Sequence, residues 1–108
     1  MGTTAELDRV FGALADPTRR AIVSRLVDGD AGVVELAAAF PISQPAVSKH
    51  LRVLVEAGLV TRRRDGRRNL CRLRPERLRP VAEWVAPYER FWAASFARLD
   101  DLVRQEQA

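Results

Sequence analysis

The sequence predicts a mostly α-helical domain with one small β-hairpin, and three observations support this prediction. Apolar residues recur at helical spacing through much of the 108-residue chain. Residues 59–74 instead read as two short strands around an Asp-Gly turn signal. The length fits one domain, which we expect to span residues 1–108.

The first two predicted helices meet at an Asp-Pro pair. Thr3 and Glu6 have capping-box spacing, so the first helix is expected to begin there. Asp16 is expected to cap the second helix, with Pro17 at its first position. Residues 28–30, Asp-Gly-Asp, should end it.

A helix-turn-helix is predicted over residues 33–57. A short third helix covers about residues 33–40, and Ser43 caps a fourth helix after a tight turn. Gly58 is expected at its C-terminal end. The predicted buried stripe of the fourth helix consists of Val47, Leu51 and Leu54. Two helices joined by a short turn are typical of a DNA-binding motif.

The hairpin that follows is predicted to be a wing over residues 59–74. Its strands are expected at 59–64 and 67–74, with Asp65-Gly66 as the two-residue turn. The predicted fold class is therefore a winged helix-turn-helix.

The C-terminal segment, residues 75–105, is predicted to be a dimerisation helix or a kinked helix pair. Pro87 should kink or split it. The apolar faces of this segment and of the first helix exceed what so small a monomer needs, which favours a homodimer. A small-molecule effector pocket is the alternative for the aromatic residues. The predicted interface residues are Leu7, Phe11, Trp84, Tyr88, Phe91, Trp92, Phe96 and Leu99.

Charge is concentrated in the middle of the chain. The net charge is +4, but residues 41–80 carry +8 between two segments of −2 each. This footprint favours nucleic acid as the partner. An acidic membrane surface is the alternative partner, but segments that bind such surfaces are typically basic amphipathic helices. The sequence has neither a signal peptide nor an apolar run long enough to span a bilayer, so no membrane partner and a cytoplasmic location are expected.

The candidate DNA contacts lie on the fourth helix and on the wing. Gln44, Ser48, Lys49 and Arg52 face away from the apolar stripe and could read base edges. The remaining candidates are Ser43 and His50 on the helix and Arg62, Arg64, Arg67 and Arg68 on the wing. A solvated helix face and a charged edge strand are the competing interpretations. For His50, packing beside Leu51 is a further alternative.

Three segments resemble the ArsR family of bacterial transcriptional regulators. They read FGALADPTRRAIVSRL (11–26), SQPAVSKHLRVLVEAGLV (43–60) and RRRDGRRNLCRL (62–73). The resemblance implies a winged-helix dimer that represses a promoter and releases DNA on a signal. The tail, WVAPYERFWAASFARLDDLV, looks like that of a subgroup without metal sites.

This chain departs from the metal-sensing pattern of that family. Ala37-Ala38-Ala39 follows Glu35-Leu36, where metal sensors carry a Cys-x-Cys pair, and the tail contains no His. Pro41 stands where Gly often occupies the turn. We therefore predict no bound metal. The sequence also has no Ser/His/Asp arrangement with supporting motifs and no phosphate loop, so we expect no cofactor and no enzymatic activity. Cys71, the single cysteine, is expected to be a small buried hydrophobe, with a redox sensor as the alternative.

The predicted function is a homodimeric repressor that binds double-stranded DNA at an imperfect palindrome. A winged-helix adaptor that docks an acidic protein is the alternative from another class. A metal or redox sensor on the same fold is the third hypothesis.

Overall fold

The computed structural model describes residues 4–107, which form six α-helices and a three-stranded antiparallel sheet. The helices are α1 Thr4–Leu14, α2 Pro17–Val27, α3 Val33–Ala39, α4 Gln44–Glu56, α5 Arg79–Val85 and α6 Ala93–Gln107. The strands are β1 Ala31–Gly32, β2 Val60–Asp65 and β3 Arg68–Leu73. Two 3-10 segments, Pro75–Leu78 and Ala86–Phe91, flank α5. The predicted cap at Thr3 lies outside the described residues.

Two predicted helix starts are confirmed by their cap hydrogen bonds. The Asp16 carboxylate accepts from the Arg19 amide at 3.0 Å, with Pro17 opening α2. Ser43 Oγ accepts from the Ala46 amide at 3.2 Å at the start of α4. Because these bonds satisfy amides that the helix itself leaves unpaired, they fix where each helix begins.

The sheet differs from the predicted hairpin in two respects. β1 pairs with β3 through Ala31–Cys71 and Gly32–Leu70, which makes the sheet three-stranded in the order β1-β3-β2. The turn is also displaced by one residue, because Asp65 pairs with Arg68 and leaves Gly66 and Arg67 as the loop. Gly66 has φ +64°, and glycine at the first loop position is typical of a type II′ turn.

The hydrophobic core packs against the inner face of α4 and so determines which residues of this helix face outward. Val47, Leu51 and Leu54 are each fully buried, which confirms the predicted stripe. They pack in one cluster with Ile22 of α2 and Leu36 of α3. Because this cluster holds α2, α3 and α4 together, Lys49 and Arg52 between the stripe positions of α4 remain exposed.

The C-terminal segment is split, and Pro87, which was expected to kink or split it, lies in the 3-10 segment between α5 and α6. The described chain has a radius of gyration of 17.0 Å, against about 13 Å for a compact domain of this length. Leu99, Leu102 and Val103 of α6 are all exposed. The last helix therefore stands away from the core and presents an apolar face.

Candidate nucleic-acid interface

The outer face of α4 presents a line of polar side chains. Gln44, Ser48 and Arg52 are spaced four residues apart and so follow one line along the helix. Gln44, Lys49 and Arg52 are exposed, and Ser48 is half-buried. Side chains of this kind can pair with base edges in a major groove.

The wing arginines divide between the two faces of the hairpin. Arg62 lies opposite Cys71 and Arg64 opposite Asn69, so these two share one face. Arg63 lies opposite Leu70 on the other face. Arg67 is in the loop at the tip, and all four arginines are exposed.

A groove of about 310 Å³ lies between α4 and the wing. It brings together five of the predicted DNA contacts from elements distant in sequence, namely Gln44, Ser48, Arg62, Arg67 and Arg68. Residues from β1, α3 and β3 complete the lining, namely Gly32, Val33, Val34, Glu35 and Asn69. The groove thus joins hydrogen-bonding groups of the helix to cations of the wing.

Comparison with known proteins identifies the family. The family model for bacterial regulatory proteins of the arsR family matches residues 16–62. The HTH-type transcriptional regulator Rv2034 of Mycobacterium tuberculosis is 43% identical over 106 residues, which are 98% of this chain and 96% of that protein. The chain belongs to the ArsR family. This ArsR-family protein is therefore a DNA-binding transcriptional regulator and not an enzyme, as predicted.

Two further similarities concern repression and assembly. The transcriptional repressor SdpR of Bacillus subtilis is 40% identical over 60 residues, 56% of this chain and 67% of that protein. A solution structure from Mycobacterium bovis, described as a homodimeric winged helix-turn-helix DNA-binding domain, superposes with a TM-score of 0.67 at 28% identity. The superposition covers 82% of this ArsR-family chain and 84% of the Mycobacterium bovis chain. The winged helix-turn-helix prediction is confirmed.

His50 is placed differently from the other candidates on α4. It follows Ser48 by two residues, and two residues advance about 200° around an α-helix, so it lies on the opposite flank. Its Nδ1 is 3.4 Å from Arg19 Nη1 and 3.8 Å from Asp16 Oδ2. His50 therefore joins α4 to the start of α2.

Arg68 is paired within the chain. Its guanidinium donates to the Glu35 carboxylate at the start of α3. Farther along β3, Arg72 donates to both oxygens of Asp30 at 2.9–3.2 Å, and this hydrogen bonding holds the pKa of the Asp30 carboxyl below its usual value. Sequence reasoning missed both acids, since their partners are more than 30 residues away. For Glu35, the three-residue spacing from Gly32, as in a capping box, was the signal in the sequence that could have pointed to a structural role.

The predicted interface residues form an exposed aromatic surface. Phe11 of α1 contacts Trp84 of α5, and Trp84 contacts Tyr88 in the following 3-10 segment. Large apolar side chains continue along the chain from there, and all are exposed in the single copy, namely Phe91, Trp92, Phe96 and Leu99. Leu7 is half-buried.

Cys71 is fully buried on β3, as predicted. Burial raises the pKa of its thiol above the ordinary value. Within residues 4–107, no three His, Cys, Asp or Glu side chains are grouped to hold a metal ion. In the same part of the chain, every helix is too short or too polar to cross a bilayer.

Proposed function

We propose that this regulator is a homodimeric repressor that binds an imperfect palindrome in double-stranded DNA. The groove between α4 and the wing carries this proposal, because it joins Gln44 and Ser48 to the cations Arg62 and Arg67. A duplex could engage the helix through its base edges and the wing through its phosphates at the same time.

The residues have different roles in this proposal. Gln44, Ser48, Lys49 and Arg52 contact bases, with Gln suited to adenine and Arg or Lys to guanine. Ser43 and the N-terminus of α4 suit a phosphate. The wing arginines Arg62, Arg64 and Arg67 neutralise phosphates and position the protein without selecting sequence.

The second copy is proposed to cover the aromatic surface of α1, α5 and α6. A two-fold dimer would present two recognition helices to successive major grooves, roughly 34 Å apart. The symmetry of the protein would then match that of an inverted repeat. Bound across a promoter in the cytoplasm, the dimer would repress transcription by excluding other proteins from the DNA.

The test is selection of bound sequences from random duplex DNA at two salt concentrations. The expected result is an enriched inverted repeat whose affinity falls steeply with salt. An Arg62→Ala/Arg67→Ala variant is the matched control and should lose affinity for all sequences. Tight binding without enrichment would replace the proposal with a non-specific DNA binder. Absence of binding would favour the protein adaptor.

A further inference from the structure

Glu35 is the acidic residue in the lining of the basic groove described above. Its Oε1 accepts a hydrogen bond from the Gly32 amide at 3.4 Å and another from the Arg68 guanidinium. Gly32 is the N-cap of α3 and pairs with Leu70 of β3. One carboxylate oxygen therefore connects the first turn of α3 to the residue that follows the wing loop.

The backbone around this oxygen leaves room for the ion pair. A Cβ atom on Gly32 would lie 3.3 Å from Glu35 Oε1 and 3.9 Å from Arg68 Nη2. The φ of Gly32 is −75°, so the absence of a side chain serves the close approach of these groups and not an unusual backbone conformation.

We propose that Glu35 is a positioning residue for DNA recognition, which pairs with Arg68 to fix the wing tip against α3 and to withhold that guanidinium from phosphates. The inference rests on the proposed function. The side chains of Glu35 and Arg68 are 47% and 58% exposed, so the pair lies within reach of DNA, and a phosphate binds Arg68 only by displacing the Glu35 carboxylate. Glu35 thereby limits the part of the affinity that ignores sequence.

The consequence is a larger ratio of specific to non-specific affinity. Phosphate contacts contribute to binding on every sequence, whereas base contacts contribute only on the operator. Holding Arg68 lowers binding to random DNA, and a fixed wing tip keeps Arg67 in register with the recognition helix. The two effects act in the same direction.

The first experiment compares Glu35→Gln with the wild-type dimer on operator and on random duplex DNA. Glutamine keeps an oxygen for the Gly32 amide, so α3 remains capped while the ion pair is lost. Non-specific affinity should rise roughly five- to tenfold near 0.1 M salt, and its salt slope should steepen by about 0.9, the value for one added phosphate contact. The ratio of specific to non-specific affinity should fall.

Asp65→Asn is the matched control, since Asp65 ends β2 opposite Arg68 and its loss changes the net charge equally. It should alter the salt slope less than Glu35→Gln does. An equal change in both variants would show that Glu35 acts only as a negative charge and would overturn the proposal, as would an unchanged slope in Glu35→Gln.

A second measurement, made without DNA, separates this proposal from the proposed function. Amide hydrogen exchange at residues 67–69 should accelerate at least about threefold in Glu35→Gln. If exchange accelerates in Glu35→Gln but the wild type binds no DNA, the repressor function is refuted, while the positioning of the wing tip by Glu35 is supported. If exchange in Glu35→Gln is unaltered and the wild type binds DNA, only the positioning role of Glu35 is refuted.

Discussion

The rings of Phe11 and Trp84 meet edge to face, with centroids 5.6 Å apart and an interplanar angle of 84°. This contact connects α1 to α5, and Trp84 also lies 5.4 Å from Tyr88. Trp84 as a whole nevertheless remains 51% exposed. The N-terminal and C-terminal helices thus form one continuous aromatic surface, of the kind that marks an interface between proteins.

Phe96→Ala should weaken the proposed dimer. The side chain is 62% exposed in the single chain, so its loss should leave the fold of one copy intact. Burial of one phenylalanine contributes about 1.5–3 kcal/mol, and two-fold symmetry doubles this to about 3–6 kcal/mol per dimer. Sedimentation across a dilution series measures the effect. Val27→Ala on α2, at a position 68% exposed, is the control, and equal dissociation in both variants would contradict the proposed interface.

Arg52→Ala and Arg67→Ala should affect DNA binding in different ways. Arg52 is assigned to a base, so its loss should cost about 1–3 kcal/mol on the operator and less on random DNA. Arg67 is assigned to a phosphate, so its loss should weaken both and flatten the salt slope by about 0.9. Fluorescence anisotropy titrations at several salt concentrations distinguish them. Equal losses on both DNA types in both variants would reject these roles.

The sequence predicted the helices and the core better than it predicted the details of the sheet and the groove. Caps at Asp16 and Ser43 are local interactions that the sequence shows directly. The strand β1 has two residues and exists only because β3 pairs with it, so no local pattern reveals it. The turn lies one residue later than predicted, because Asp65 extends the pairing of β2 with β3 and Gly66 adopts the positive φ at the first loop position.

The candidate DNA contacts were predicted from residue type and helical spacing, and the structure adds the tertiary contacts that these residues make. Helical spacing placed Gln44 and Ser48 on the outer face of α4, and the structure adds Arg62 and Arg67 beside them. The roles of His50 and Arg68 depend on partners about 30 residues away, Asp16 and Glu35. Such long-range pairs leave no periodic signal in one sequence.

Ser43→Ala should destabilise the protein through the start of α4. The hydroxyl accepts from the Ala46 amide, and loss of such a cap costs about 0.5–2 kcal/mol of unfolding free energy. Urea denaturation measures this quantity. Ser24→Ala is the control, because Ser24 is an exposed position within α2, where alanine favours the helix. A loss of stability no greater than that of the control would mean that the cap contributes nothing.

Stability should fall at acid pH through Asp16 and Asp30. The hydrogen bond from the Arg19 amide lowers the pKa of the Asp16 carboxyl, and the hydrogen bonds from Arg72 lower that of Asp30. A carboxyl whose folded pKa is below its unfolded value, about 3.9, stabilises the protein above that pH and ceases to do so as pH falls through the folded pKa.

The measurement is the melting temperature from pH 6 to pH 2 for the wild type and for Asp16→Asn/Asp30→Asn. The double variant should lose less stability than the wild type over the range below about pH 4. Asp8→Asn changes an exposed acid of α1 and serves as the control. Parallel curves for wild type and double variant would contradict the assignment.

Cys71 should react slowly with thiol reagents in the native protein. Its side chain is fully buried on β3, and burial raises the pKa of the thiol, so the reactive thiolate is scarce. Labelling with a chromogenic disulfide should therefore accelerate strongly in urea, where unfolding exposes the thiol. DNA affinity should also be the same for the wild type and Cys71→Ser after exposure to peroxide. Rapid native labelling, together with a loss of DNA affinity in the oxidised wild type alone, would restore the redox-sensor hypothesis.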